Sequence, residues 1–161
     1  MMKKKICIFM LSFVFCFLCS CSQESKFGLE QFTHRLSTQY EMSFNTADFM
    51  YGHNENEEKY FFYEEDNFLI SLSLDANNSI KGVSLLFTES MDINSGLDTF
   101  CKICSVFTGD TYENQKKTNE ECRITTDEIK YADNSFTSTV GKYKYSVICN
   151  NSSVTLFCDR V

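Results

Sequence analysis

The chain predicts an α+β fold, a single domain in which an antiparallel, meandering sheet carries helices packed on one face. Three observations predict it. Apolar residues recur at helical spacing in some blocks and alternate in others, in the order helix, strands, helices, strands. Short clusters of Asn, Asp and Ser join successive strands, which suits antiparallel neighbours and not the long crossovers of a parallel sheet. Helices and strands are segregated into runs, as in a sheet covered on one side.

The elements follow in order. Leu29, Phe32, Leu36 and Tyr40 recur at spacings of three and four, so 27–40 reads as an amphipathic helix. The period then changes to two, and Lys59–Glu64, Phe68–Leu74 and Val83–Phe87 read as strands rich in aromatic and aliphatic residues. Between the last two, Asp75-Ala76-Asn77-Asn78-Ser79 is a turn cluster. Matching the apolar faces pairs Leu72 with Val83 and Ile70 with Leu85, because a one-residue slip would turn the second set outward. Ser95-Gly96-Leu97-Asp98 has the shape of a capping box, and Leu97, Phe100, Cys101, Cys104 and Phe107 form a helical stripe ending at Gly109. Asp110 is placed to cap a further, polar helix reaching Cys122 or Ile124. Strands return at Glu128–Tyr131, Phe136–Val140, Tyr143–Cys149 and Val154–Cys158, the last two joined by Asn150-Asn151-Ser152-Ser153.

Ahead of this body stands a different kind of segment. Lys3, Lys4 and Lys5 precede an apolar run from Ile6 to Leu18, and Leu18-Cys19-Ser20-Cys21 closes it. The run is 13 residues long, whereas a helix needs about 20 to cross the hydrocarbon core. A basic start, a short apolar stretch and small residues at a cleavage point describe an export signal. The Leu-x-small-Cys ending resembles the lipobox of bacterial lipoproteins. That resemblance covers residues 1–21 and implies cleavage after Ser20, with Cys21 taking a diacylglyceryl thioether and becoming the new amino terminus. The implied division is a cleaved signal peptide at 1–20, a lipid anchor and short tether at 21–26, and one α+β domain at 27–161. The implied location is the extracytoplasmic face of a bacterial membrane. Two acyl chains hold a protein stably where one does not, so the body need not bind membrane itself.

Charge agrees with that division. Three of the 15 basic residues lie in the leader, so the body keeps 12 against 22 acidic residues, a net charge of −10. An acidic body is repelled by anionic lipid and lacks the clustered Lys and Arg that neutralise phosphates, which excludes nucleic-acid binding. With 16 Phe and 8 Tyr, the chain has the material for a packed core. Five cysteines remain in the body besides Cys21: Cys101, Cys104, Cys122, Cys149 and Cys158. An odd set cannot all pair internally, and small buried apolar residues are the simpler account.

Chemistry-bearing constellations are few. Cys101-Lys102-Ile103-Cys104 has redox spacing but falls within a helical stripe, whereas reactive pairs sit at a helix amino terminus. Zinc would need further ligands that His34 and His53 do not supply at any ligand spacing. Asp75, Asn77 and Ser79 mimic half a calcium loop, but Ile80 stands where glycine is required. No phosphate loop or nucleophile elbow occurs, and Glu64 and Glu65 are adjacent, pointing to opposite faces of a strand. Tyr60-Phe61-Phe62-Tyr63 is aromatic on both faces, which reads as a central strand covered on both sides or as a platform for a glycan, a peptide or a protein partner. The resulting expectation is a lipid-anchored, non-catalytic binding or interaction module without cofactor. A thiol oxidoreductase built on Cys101 and Cys104 and a structural envelope component without ligand are the rivals.

Overall fold

A computed structural model of the chain describes residues 26–129 and 133–161. It is α+β: a seven-stranded, wholly antiparallel open sheet with helices packed against it. Helix α1 spans Leu29–Tyr40 and a 3-10 turn spans Thr46–Asp48. Strands β1 (Met50–His53), β2 (Lys59–Glu65), β3 (Phe68–Leu74) and β4 (Ile80–Thr88) follow as a meander. Helices α2 (Ile93–Thr108) and α3 (Tyr112–Glu121) come next, then β5 (Asn134–Val140), β6 (Tyr143–Cys149) and β7 (Ser153–Arg160). The strand order is β1-β2-β3-β4-β7-β6-β5, so β4 and β7 join two meanders at the centre.

The core lies between the sheet and the helices. Ile70, Leu72, Val83, Leu85, Phe87, Val147, Val154, Leu156 and Cys158 meet Phe32 and Leu36 of α1 and Phe100, Ile103, Cys104 and Phe107 of α2. The predicted register holds, with Leu72 on Val83 and Ile70 on Leu85. Helix α2 is buried well beyond its predicted stripe, Ile103 and Val106 included, because the sheet, α1 and α3 surround it. Helix α3 is polar, yet Gln115 and Asn119 are buried. The Gln115 amide donates to Asn119 at 2.9 Å and to the Tyr145 hydroxyl at 3.2 Å, so hydrogen bonds do the work of apolar contact there.

Several sequence expectations are corrected. Helix α2 starts three residues before the supposed capping box, and Asp92 is its cap, accepting from Ser95 N at 3.0 Å. Asp98 instead pairs with Lys102 on the next turn at 2.7 Å. Thr111, not Asp110, caps α3 by accepting from Asn114 N at 3.2 Å. Of the expected strand at Glu128–Tyr131, Glu128 lies in a turn and the end falls outside the described residues. The sequence reading did not find β1, the short edge strand. Among the described residues no helix is long and apolar enough to cross a membrane.

Helix α2 approaches the sheet closely at Gly96. A β-carbon there would fall 2.7–2.8 Å from three ring atoms of the fully buried Phe87. Gly96→Ala is therefore expected to destabilise the fold by about 1–3 kcal/mol through overpacking, against a helix-propensity gain of about 1 kcal/mol. Urea unfolding checks this, and an unchanged midpoint would mean that Phe87 moves aside freely.

Candidate functional site

Because the helices cover one face of the sheet, alternation leaves the other face to solvent, and its side chains can be read row by row from the register. One row runs Tyr60, Ser73, Gly82, Asp159 across β2, β3, β4 and β7. The next runs Phe62, Ser71, Ser84, Phe157. In these two rows the middle strands present only serine and glycine, while the flanking strands present rings and a carboxylate. The result is a trough of about 400 Å³ with Ser71, Ser73, Gly82 and Ser84 as floor. Tyr60 stands on one side and Phe157 and Asp159 on the other. Three strand spacings place the walls about 14 Å apart at the backbone.

A bulge shapes one end. Ser73 pairs with Gly82 but Leu74 pairs with Ile80, so Lys81 is the extra residue. The bulge lets Ile80 return to the core although it lies three residues from Val83, and it leaves Lys81 lining the trough. Lys81 stands 3.6 Å from Glu58. The Tyr60 hydroxyl donates to Glu58 at 2.9 Å, and Asn54 donates to both Tyr60 and Glu58. These bonds, with Lys81, hold the Glu58 carboxyl below its usual value, the Tyr60 bond counting most.

Asp159 is the opposite case. Its side chain lies over Gly82: a β-carbon there would fall 2.0 Å from Asp159 Oδ1 and 2.7 Å from Ser73 Oγ. Glycine is required for the carboxylate to occupy that position. Among the described residues the Asp159 carboxylate accepts no hydrogen bond and no cation stands at contact distance. Burial pushes its carboxyl above the usual value, helped by Glu58 and opposed by Lys81 and Lys144 from further off. Ser73 Oγ is buried without a hydrogen-bond partner. Two polar groups beside one point of the floor are thus left unsatisfied by the protein.

The aromatic strand is divided by its pleat, and β2 lies next to the sheet margin rather than at its centre. Phe61 and Tyr63 turn toward the helix side, where Tyr63 joins Phe44, Phe49 and Phe68 with ring centroids 4.9–6.2 Å apart. The Tyr63 hydroxyl bonds to Glu65, which pushes its pKa up to about 12. Tyr60 and Phe62 face the open side, but only Tyr60 lines the trough, since the Phe62 ring lies beside Gly52. A continuous four-residue patch is therefore not formed.

The cysteine pair lies on the covered side. Cys101 and Cys104 are buried in the middle of α2. Burial, then the nearby Asp98 carboxylate, pushes the Cys101 thiol up to about 12. Burial and a hydrogen bond with Cys158 raise Cys104 as well. Reactive thiols need the reverse. All five body cysteines are present as buried thiols. Among the described residues no group of three or more His, Cys, Asp or Glu is placed to hold a metal ion. The Asp75 carboxylate accepts from Asn77 N and Ser79 N at 2.8 and 2.9 Å, so it closes its own turn. Both histidines are exposed, and Cys21 falls outside the described residues.

Comparison of the chain with protein-family models, with curated proteins and with solved structures finds no match. Gly82, Asp159, Ser73 and Phe157 escaped the sequence reading. A glycine at the edge of a strand pattern is the one signal that pointed to them, since it marks a bulge or a close approach.

Two outcomes follow. A carboxyl that holds its proton more tightly folded than unfolded weakens the fold above both pKa values and leaves it unaffected below them. Asp159→Asn should therefore raise Tm at neutral pH, the gain vanishing as pH falls below the unperturbed aspartate value of about 3.9; a lower Tm at neutrality would contradict the account. The body thiols should react with Ellman's reagent only after denaturation, and rapid reaction of two thiols in the folded protein would contradict their burial.

Proposed function

We propose that the protein is a lipid-anchored, extracytoplasmic binding module, non-catalytic, held on the outer face of a bacterial membrane through Cys21. The trough over β3 and β4 carries the binding part of this reading. A sheet face needed only for support would satisfy or expose its polar atoms, whereas Ser73 Oγ is buried without a partner and Asp159 is half-buried without one. The anchor part is supported by the lipobox-like segment ending at Cys21 and by the acidic body, which has no electrostatic attraction of its own to anionic lipid. The envelope partner is a protein or a glycan, and the membrane is reached through the diacylglyceryl group alone. The high thiol pKa values favour this reading over an oxidoreductase.

Mass spectrometry of the protein recovered from a bacterial envelope tests the anchor. The expected product begins at Cys21 with a diacylglyceryl adduct, and Cys21→Ser should abolish both the adduct and membrane retention. A product still beginning at Met1 and found in the cytosol would overturn it. Retention of an envelope component by the full chain, lost in the trough-filling Gly82→Ala variant, tests the binding part. Equal retention by both proteins would remove the trough from the reading.

A further inference from the structure

We infer that the trough takes a neutral oligosaccharide, gripped by hydroxyl and carboxylate hydrogen bonds on its floor and by the Tyr60 and Phe157 rings at its sides. This rests on the binding-module reading and names its ligand class. The floor strands β3 and β4 are each paired on both sides, so their backbone N–H and C=O groups are spent in the ladder. A peptide adding as a further strand finds nothing there to pair with, because that mode needs a sheet edge. Recognition has to come from side chains. What the trough offers is the open hydroxyls of Ser71 and Ser84, each both donor and acceptor, and the Asp159 carboxylate, which only accepts and lies above the enclosed Ser73 hydroxyl. A ring carrying several hydroxyls is the matching partner: neighbouring hydroxyls can donate to Asp159 while others meet Ser71 and Ser84.

The walls fit the same ligand. Aromatic rings give apolar contact area at low entropic cost, and the C–H face of a pyranose is the apolar side of an otherwise polar molecule. Charge decides against ionic ligands. Glu58 is occupied by Tyr60, Asn54 and Lys81, and the four charged residues that line the trough, Glu58, Asp159, Lys81 and Arg160, balance. A polyanion would meet the acidic body as a whole. The volume, about 400 Å³, lies in the range of small-ligand sites.

The test uses the full chain, isotope-labelled and held in a polyoxyethylene detergent, which contains no sugar. Cellotetraose, maltotetraose and chitotetraose are titrated separately, with spermidine as a cationic comparison. At least one tetrasaccharide should shift the amides of Ser71, Ser73, Gly82 and Ser84 saturably, with a Kd of about 1 mM or tighter. Asp159→Asn and Phe157→Ala should each weaken that binding about tenfold, a loss of about 1.4 kcal/mol. Thermal melts confirm that both variants are folded, and Ser71→Ala serves as a smaller change should Phe157→Ala prove unstable. No saturable shift with any of the three sugars overturns the inference, as does binding that neither variant weakens. Spermidine moving the same amides instead would replace the ligand class and leave the binding-module reading standing. Silence from all probes, together with equal retention of envelope components by wild type and Gly82→Ala, would bring down both.

Discussion

The register between β4 and β7 governs both faces of the molecule at once. These strands come from meanders far apart in the chain and meet at the sheet centre, with Val83 on Cys158, Leu85 on Leu156 and Phe87 on Val154. Those pairs lie on the helix side and are buried. The residues between them set Gly82 against Asp159 and Ser84 against Phe157 on the open side. Side chains alternate with a period of two, so a shift of one residue would turn Leu85 and Leu156 into water and move the serines and glycine into the core. Burial of the aliphatic pairs fixes the register firmly, and the trough inherits that precision without contributing to it.

This division explains why the open face can carry groups that do not favour folding. The half-buried Asp159 carboxylate and the unpartnered Ser73 hydroxyl oppose stability, and the apolar face offsets them. Natural domains keep such unfavourable groups where a ligand uses them. Helix α3 shows the contrasting arrangement. Its buried polar residues Gln115 and Asn119 are satisfied by each other and by Tyr145, and they serve to seat a hydrophilic helix against the sheet.

Much of the architecture was legible because burial on one face writes a clean alternation into the sequence. The limits of β3 and β6 came out as read, and so did the pairing of Leu72 with Val83 and Ile70 with Leu85. The alternation failed where other physics intervened. The bulge at Lys81 puts Ile80 and Val83 on one face at an odd spacing, which hid the first three residues of β4. Strand β1 is four residues long, contains Gly52 and is mostly exposed, so burial left no pattern in it. Tyr60-Phe61-Phe62-Tyr63 looked uniformly apolar because both of its faces are used, the inner pair to close the sheet margin behind α1 and the outer pair on the open side. Asp92 went unnoticed as the cap of α2 because Ser95 can cap as well, and the apolar contacts of Ile93 and Leu97 extend the helix back to it. The trough itself was hardly legible. Ser71, Ser73 and Ser84 resemble ordinary solvent-side positions, and Asp159 becomes unusual only when Gly82 stands beneath it.

The set of sulfhydryl groups enclosed by the core has a consequence for how long such a molecule lasts. Cys104 and Cys158 touch each other on the helix side of the sheet, Cys122 and Cys149 lie under the same apolar cover, and Cys101 is buried beside Asp98 and Tyr112. While the domain stays closed they are shielded from peroxide and from disulfide exchange. Once it opens, an odd number of nucleophiles is released together, and any mispaired or oxidised product cannot repack. In an oxidising medium durability is then set by how seldom the domain opens rather than by its equilibrium stability, and each opening carries a chance of irreversible loss.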